Sequence, residues 1–259
     1  MTRHGAAATV RGWLAPGGLI LGLLIIWEAV VRLREVPRWL LPPPSAVATT
    51  LVEERALLFE HSLATLSAVL VGFGLAIAAG VLLAVAVDLS PVLDRAVYPL
   101  VVASQTVPVP ALAPLLLIWF GYGLLPKVLV TALIAFFPIV VNTVEGFRSP
   151  DPEVIAMLRS FGANRWTRFR MIKVPAALPY LFTGARIGAA VAVIGAVFGE
   201  LVGAQAGLGY LLTRAMAQFQ TERVVAAIFL LSLMGMGLFA LVGLLERLLL
   251  PWRRFTASE

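Results

Sequence analysis

The side chains able to do bond-making chemistry are scarce in this chain of 259 residues. There is no cysteine and there are two histidines, His4 and His61. Disulfides, thiolate ligands and cysteine nucleophiles are therefore absent, and no metal-ligand cluster is expected. A Ser/His/Asp relay is not credible with His4 and His61 beside span ends or a terminus. The lysines are Lys127, after Pro126, and Lys173, after Ile172, so the Gly-Lys-Ser/Thr of a phosphate loop is missing. No catalytic residue is assigned, and the chain is not read as an enzyme. What remains is polar chemistry inside apolar runs, where a polar group is costly and turns toward a bundle interior. Glu200 reads as lining a pathway or gate, or as an interfacial or buried paired acid. Gln105 and Thr106 sit beside proline breaks and read as pathway groups or as interhelical hydrogen bonders. Asn142, next to Thr143, carries the same two readings. Arg186 reads as reaching the inner face or tying its run to the preceding loop. Trp119 and Tyr122 suit an aromatic interface belt.

The elements that must position these groups follow from composition. Hydrophobic residues make up 60% and charged residues 13%, with a mean hydropathy of +0.95. So few charges cannot tile a soluble surface, and so much apolar content excludes disorder. A span takes about 20 apolar residues, so roughly six fit the length. The net charge of +6 reads as membrane topology, with no nucleic-acid partner. Apolar runs cover 13–31, 62–87, 96–120, 124–144, 176–202 and 224–245. The first is read as a retained helix and not a cleaved signal. The connector 32–61 holds Pro42, Pro43 and Pro44, and Ser45 is expected to cap a short surface helix over 46–58. Run 62–87 carries Gly72, Gly74 and Gly80, and run 96–120 is broken by Pro99, Pro108, Pro110 and Pro114. A glycine-containing loop is expected over 203–221, its Gly207-Leu208-Gly209 segment being a plain turn or an outer contact. The predicted organisation is a tail and first helix over 1–34, an extracytoplasmic connector over 35–61, a five-helix core over 62–252 and a tail over 253–259.

With the N-terminus inside, twelve basic residues face the cytoplasm: Arg3, Arg11, Arg95, Arg148, Arg159, Arg165, Arg168, Arg170, Lys173, Arg247, Arg253 and Arg254. Seven face outside: Arg32, Arg34, Arg38, Arg55, Lys127, Arg214 and Arg223. The bias places both termini in the cytoplasm, and the decisive share comes from the loop 149–175. There Asp151-Pro152 starts a helix, with Val154, Leu158 and Phe161 spaced along one face. Gly162 ends it, Ala163 and Asn164 form the turn, and a second amphipathic stretch runs through Trp166 and Ile172 to Pro175. A charged topology loop needs no such apolar periodicity. A lipid-surface helix and a docking element for a cytosolic partner both remain.

The pattern resembles the signature loop of binding-protein-dependent ABC importer permeases, Glu-Ala-Ala, three residues, Gly, nine residues, Ile, one residue, Leu-Pro. Here it reads Ala156-Met157-Leu158, Gly162, Ile172 and Val174-Pro175, with Glu153 about one turn before the missing motif glutamate. Pro44-Ser45-Ala46-Val47, Ile118-Trp119-Phe120-Gly121, Phe136-Phe137-Pro138 and Gly207-Leu208-Gly209-Tyr210 are similar to the sulfonate, taurine and nitrate branch. Gln105-Thr106-Val107-Pro108 and Ile194-Gly195-Ala196-Val197 resemble permeases for thiamine pyrimidine precursors or riboflavin more closely. The resemblance covers about 42–252 and implies an all-α membrane protein of the type I importer permease kind. It implies a coupling loop of Glu153, Ala156, Arg159, Gly162, Ala163, Arg165, Trp166, Ile172 and Pro175 that docks on a cytosolic ABC ATPase dimer. ATP and Mg belong to that ATPase, and no cofactor to this chain. It further implies a second permease subunit, expected to be identical, a substrate-binding protein outside, and a bacterial-type inner membrane. The pathway expectation is Gln105, Thr106, Asn142 and Glu200. The alternative is an ion-gradient-driven secondary transporter, which calls for inverted repeats that are not evident here.

Overall fold

The computed structural model describes residues 4–251, with side chains from residue 17 onward. The expected tail 253–259, with Arg3, Arg253 and Arg254 and the side chain of Arg11, lies outside the described residues. Every regular element among the described residues is helical. In order they are α1 (His4–Leu33), α2 (Pro44–Glu53), α3 (Arg55–Leu89), α4 (Pro91–Ala96), α5 (Tyr98–Ser104), α6 (Val109–Phe120), α7 (Leu124–Arg148), α8 (Pro152–Ser160), α9 (Arg165–Arg168), α10 (Val174–Leu201), α11 (Leu208–Ala217) and α12 (Thr221–Leu249). A π-helical turn, Phe169–Lys173, joins α9 to α10.

Among the described residues, four stretches are long and apolar enough to cross a membrane: Arg55–Leu89, Leu124–Arg148, Arg165–Leu201 and Thr221–Leu249. The run expected as one span over 96–120 is instead bent by 98° between Pro91–Ser104 and Val109–Phe120, and counts as a fifth if the pair crosses as one. The prolines explain the break, since each lacks an N–H and disfavours helix in the residue before it. The described part of α1 exposes Leu19, Ile20, Leu21, Leu23, Ile25 and Ile26, as a lipid-facing helix does.

Two local expectations are corrected. Ser45 does not cap α2: Pro43 holds that position, and Ser45 lies inside the first turn with its N–H and hydroxyl both bonded to Glu28. Proline suits a helix start, so the prolines themselves begin the helix and release the serine. The second half of the 149–175 loop is not a separate helix either. It continues through the π turn into α10, giving one helix over Arg165–Leu201. The Val174 N–H donates to the Phe169 carbonyl, an i→i+5 bond that shifts the helical register just ahead of Pro175.

The contacts fall into two compact units, 1–59 with 211–229, and 60–210 with 230–259. In the first, Glu28 binds Arg32 and Ser45, and Arg223 clasps Glu54 through two 2.6 Å bonds. Trp39 meets Phe219 edge-on at 6.4 Å.

In the second unit, α7 and α10 run antiparallel in contact along their length. A Cβ on Gly184 would lie 2.5 Å from the Pro138 carbonyl, one on Gly195 2.8 Å from Thr131 Cα, and one on Gly199 2.8 Å from Lys127 Cα. The contact points descend α7 as they ascend α10, which fixes the antiparallel sense. On α3, Gly72 meets Thr131 and Gly80 meets Ile139, so α3 runs parallel to α7. Gly74, also singled out in the sequence, faces open space. Small residues do this work because lipid supplies no hydrophobic drive between helices, leaving close van der Waals contact as the main attraction. Ala68, Val69, Ala135, Ile139, Ala189, Ala192 and Ala196 fill the core between the three helices.

Candidate functional site: a projecting loop, a broken span and an outer clamp

The three-helix core has two ends. The end formed by the C-termini of α3 and α7 and the start of the α9–α10 helix carries the loop. The opposite end gathers the α3 residues His61 and Thr65, Lys127 of α7, Glu200 of α10 and the segment that follows α10.

At the first end, Asp151 caps α8 by accepting the Glu153 N–H at 2.8 Å. No residue of α8 is buried. Val154, Met157 and Phe161 are exposed, while Ile155 and Leu158 are half-buried, so the exposed apolar face is rotated from the expected Val154, Leu158 and Phe161 stripe. Ala156 and Arg159 are exposed on the same helix, as is Glu153. The helix ends at Gly162, whose φ of +80° favours glycine, with Ala163 N–H bonded to the Leu158 carbonyl and Gly162 N–H to that of Arg159. This paired arrangement satisfies two carbonyls at the helix end. Asn164 then caps α9 by accepting the Thr167 N–H at 2.8 Å.

The root of the loop is fastened firmly. Arg165 donates to the carbonyls of Asp88 and Leu89, the exposed end of α3. Lys173 pairs with Asp88, and Arg148 with Asp94. Trp166 stacks on Phe169 at 5.6 Å, and Phe169 lies 5.4 Å from Phe147. Ile172 is half-buried and Pro175 exposed. Thus Arg165 and Trp166 tie the loop to the core, whereas α8 carries an uncovered face.

Gln105 and Thr106 lie at the bend between α5 and α6, both exposed. Gln105 lines a cavity of about 580 Å³ with Ser104, Phe136, Phe137 and Ile187, and Thr106 turns its hydroxyl to the Ala103 carbonyl. Asn142 donates to the Pro138 carbonyl at 2.7 Å, within its own helix.

Glu200 is 1% exposed. The Thr65 hydroxyl lies 2.9 and 3.0 Å from its two oxygens, and the Gly209 N–H donates to it at 2.8 Å. Thr65 Oγ1 also accepts the Leu208 N–H at 2.8 Å, and His61 Nδ1 accepts the Gly207 N–H at 3.0 Å. Lys127 Nζ donates to the Ala206 carbonyl at 2.6 Å. Three successive N–H groups and one carbonyl of the 206–209 segment are thus held by buried side chains of α3, α7 and α10. Gly207 has φ +124°, and a Cβ there would lie 2.2 Å from the Glu200 carboxyl. The segment then enters α11, where a loop was expected. The spacing of buried Leu208, Leu211, Leu212 and Ala215 carries that helix and was legible in principle.

Sequence reasoning singled out Glu200 but missed its partners, because Thr65 is an ordinary residue within an uncharged run. Arg186 was read as reaching the inner face or the loop. It pairs with Glu246, near the end of α12, at 2.6 Å and sits 5.8 Å from the Phe239 ring. Two opposite charges inside long apolar helices were the available signal.

Residues 76–251 match the family described as Binding-protein-dependent transport system inner membrane component. The Formylaminopyrimidine transport permease protein ThiX of Halalkalibacterium halodurans is 44% identical over 93% of this chain and 96% of its own. The Riboflavin transport system permease protein RibX of Chloroflexus aurantiacus is 45% identical over 89% and 87%. The putative aliphatic sulfonates transport permease protein SsuC of Bacillus subtilis is 32% identical over 93% and 88%. A chain from a structure of inward facing conformations of the MetNI methionine ABC transporter superposes with a TM-score of 0.55 at 20% identity, covering 73% of this chain and 98% of that one.

Proposed function

Because this chain belongs to the family of binding-protein-dependent transport system inner membrane components, we propose that its loop 149–175 is the handle by which an ATPase drives transport. The chain is a permease subunit of an ABC importer. A cytosolic ABC ATPase dimer holds ATP and Mg and grips α8. A second, identical permease completes the pathway. An extracytoplasmic binding protein delivers the cargo, and both termini are cytoplasmic. The cargo is a thiamine pyrimidine precursor or a riboflavin-like molecule, supported by the relatives at 44% and 45% identity. Sulfonate, taurine or nitrate comes next.

The observation that carries the coupling role is the contrast within the loop. Its root is tied to α3 by Arg165 and Lys173, yet α8 leaves Val154, Met157 and Phe161 uncovered. A helix held rigidly at its base and apolar at its tip can transmit force to a groove that accepts it. Gln105, Thr106 and Asn142 are proposed to border the pathway. Glu200 is proposed to serve it indirectly, as the clamp of the 206–209 segment.

The test is Gly162→Asp in a reconstituted importer. The left-handed backbone at Gly162 has open space around it, so the change strains the helix end without filling a core site. The expected result is normal insertion with uptake uncoupled from ATP hydrolysis. Retained ATP-coupled uptake in that variant rejects the role of the loop.

A further inference from the structure

We propose that the cavity at the bend between α5 and α6 holds the cargo in transit and selects a flat, uncharged nitrogen heterocycle. This rests on the importer reading above and deepens it. The cavity, about 580 Å³, lies within the ordinary range for small-molecule sites. Its walls are aliphatic and aromatic carbon, including Phe136, Phe137 and Ile187, with Ser104 and Gln105 as its polar side chains. No arginine, lysine, histidine or carboxylate lines it among the described residues. Ser104 commits its hydroxyl to the Val101 carbonyl at 2.7 Å, which leaves the Gln105 amide as the principal side-chain reader.

The charge balance decides the class of cargo. An anion such as a sulfonate loses its hydration on entering and needs a cation or several aimed N–H donors in exchange. This wall supplies neither a cation nor a ring of donors. A heterocycle with an amide or imide edge needs much less. Its faces lie against phenyl rings, and a primary amide offers both a donor and an acceptor to its edge. The broken span agrees, since irregular backbone at membrane depth is tolerated where it lines a cavity. A second cavity, about 680 Å³, is lined by Arg32, Arg38, Glu35, Glu53 and Glu222. Its lining mixes both charges, drawn from α1, α2, the connector between them and the start of α12, so it does not favour an uncharged cargo.

The chain has no cysteine, so single cysteines report on the cavity cleanly. Ser104→Cys, Val191→Cys and Leu112→Cys are placed one at a time in the intact importer in membranes and labelled with a small water-soluble maleimide. Val92→Cys, exposed and outside the cavity, is the control. Riboflavin is the probe and taurine the comparator. Riboflavin at saturating concentration is expected to slow labelling at two or more cavity positions by about fivefold or more, the unoccupied fraction setting the rate. The Val92→Cys rate stays unchanged, and taurine has no effect at any position. Equal protection by taurine overturns the selection for uncharged cargo. Absence of protection by riboflavin overturns the site, as does a groove sealed against label in every condition by the second permease. ATP-driven uptake by the unmodified importer is measured separately, so failure of the importer reading is distinguished from failure of the cavity.

Discussion

Replacing Thr65 by valine keeps the shape of the side chain and removes one hydroxyl. That hydroxyl donates toward Glu200 and accepts the Leu208 N–H at 2.8 Å, and both Leu208 and Glu200 are enclosed, at 0% and 1% exposure. The first loss removes a hydrogen bond to a carboxyl group, and the second leaves a buried N–H without its partner. Together they amount to about 3–5 kcal/mol. Thr131 and Thr143 are equally buried, but their hydroxyls bond only backward to Lys127 and Ile139 carbonyls of the same helix. Those carbonyls keep their helical bonds, so Thr131→Val and Thr143→Val are expected to cost less than about 1 kcal/mol. Thr65→Ser retains the hydroxyl and loses a methyl, at about 1 kcal/mol. Unfolding of the full chain in bicelles, titrated with SDS and followed through its tryptophans, measures all four. Hydrogen exchange of the 206–209 amides is read alongside and should accelerate only in Thr65→Val. Equal destabilisation by Thr65→Val and Thr143→Val, or unchanged exchange, refutes the clamp.

Glycine positions separate close approach from mere smallness. Gly184→Ala drives a Cβ to 2.5 Å from the Pro138 carbonyl and should destabilise the chain by about 1–3 kcal/mol in the same titration. Gly74→Ala meets open space and should stabilise α3 by up to about 1 kcal/mol, so the two must move in opposite directions. Arg165→Ala unties the loop from the end of α3. The expected sign is faster hydrogen exchange across 152–164, with unchanged exchange at Gly207 and Leu208 on the opposite end of the core.

The scarcity of charge and the long apolar runs marked an all-helical membrane protein from the sequence, because a span is a property of local sequence. The loop was legible for a similar reason. Asp151-Pro152 is a helix start and Gly162 a helix end, whatever packs around them, whereas Asn164, read as part of the turn, caps the next helix. The bend of the third run was signalled by its prolines, although its 98° angle was not.

Partnership across the bundle had no such local signature. Nothing in the run holding Thr65 announces that its hydroxyl meets Glu200, a residue 135 positions away. Nothing near Arg186 names Glu246 as its partner. The face of α8 left uncovered also depended on how the root of the loop lies against α3. Sequence by itself therefore determined which runs are apolar enough to span a membrane and where the polar loop between them begins and ends. Tertiary structure decided which polar groups are used internally and which remain for cargo or partner. The physical reason is that a buried polar group must find a partner, and antiparallel α7 and α10 with parallel α3 set which partners come within reach.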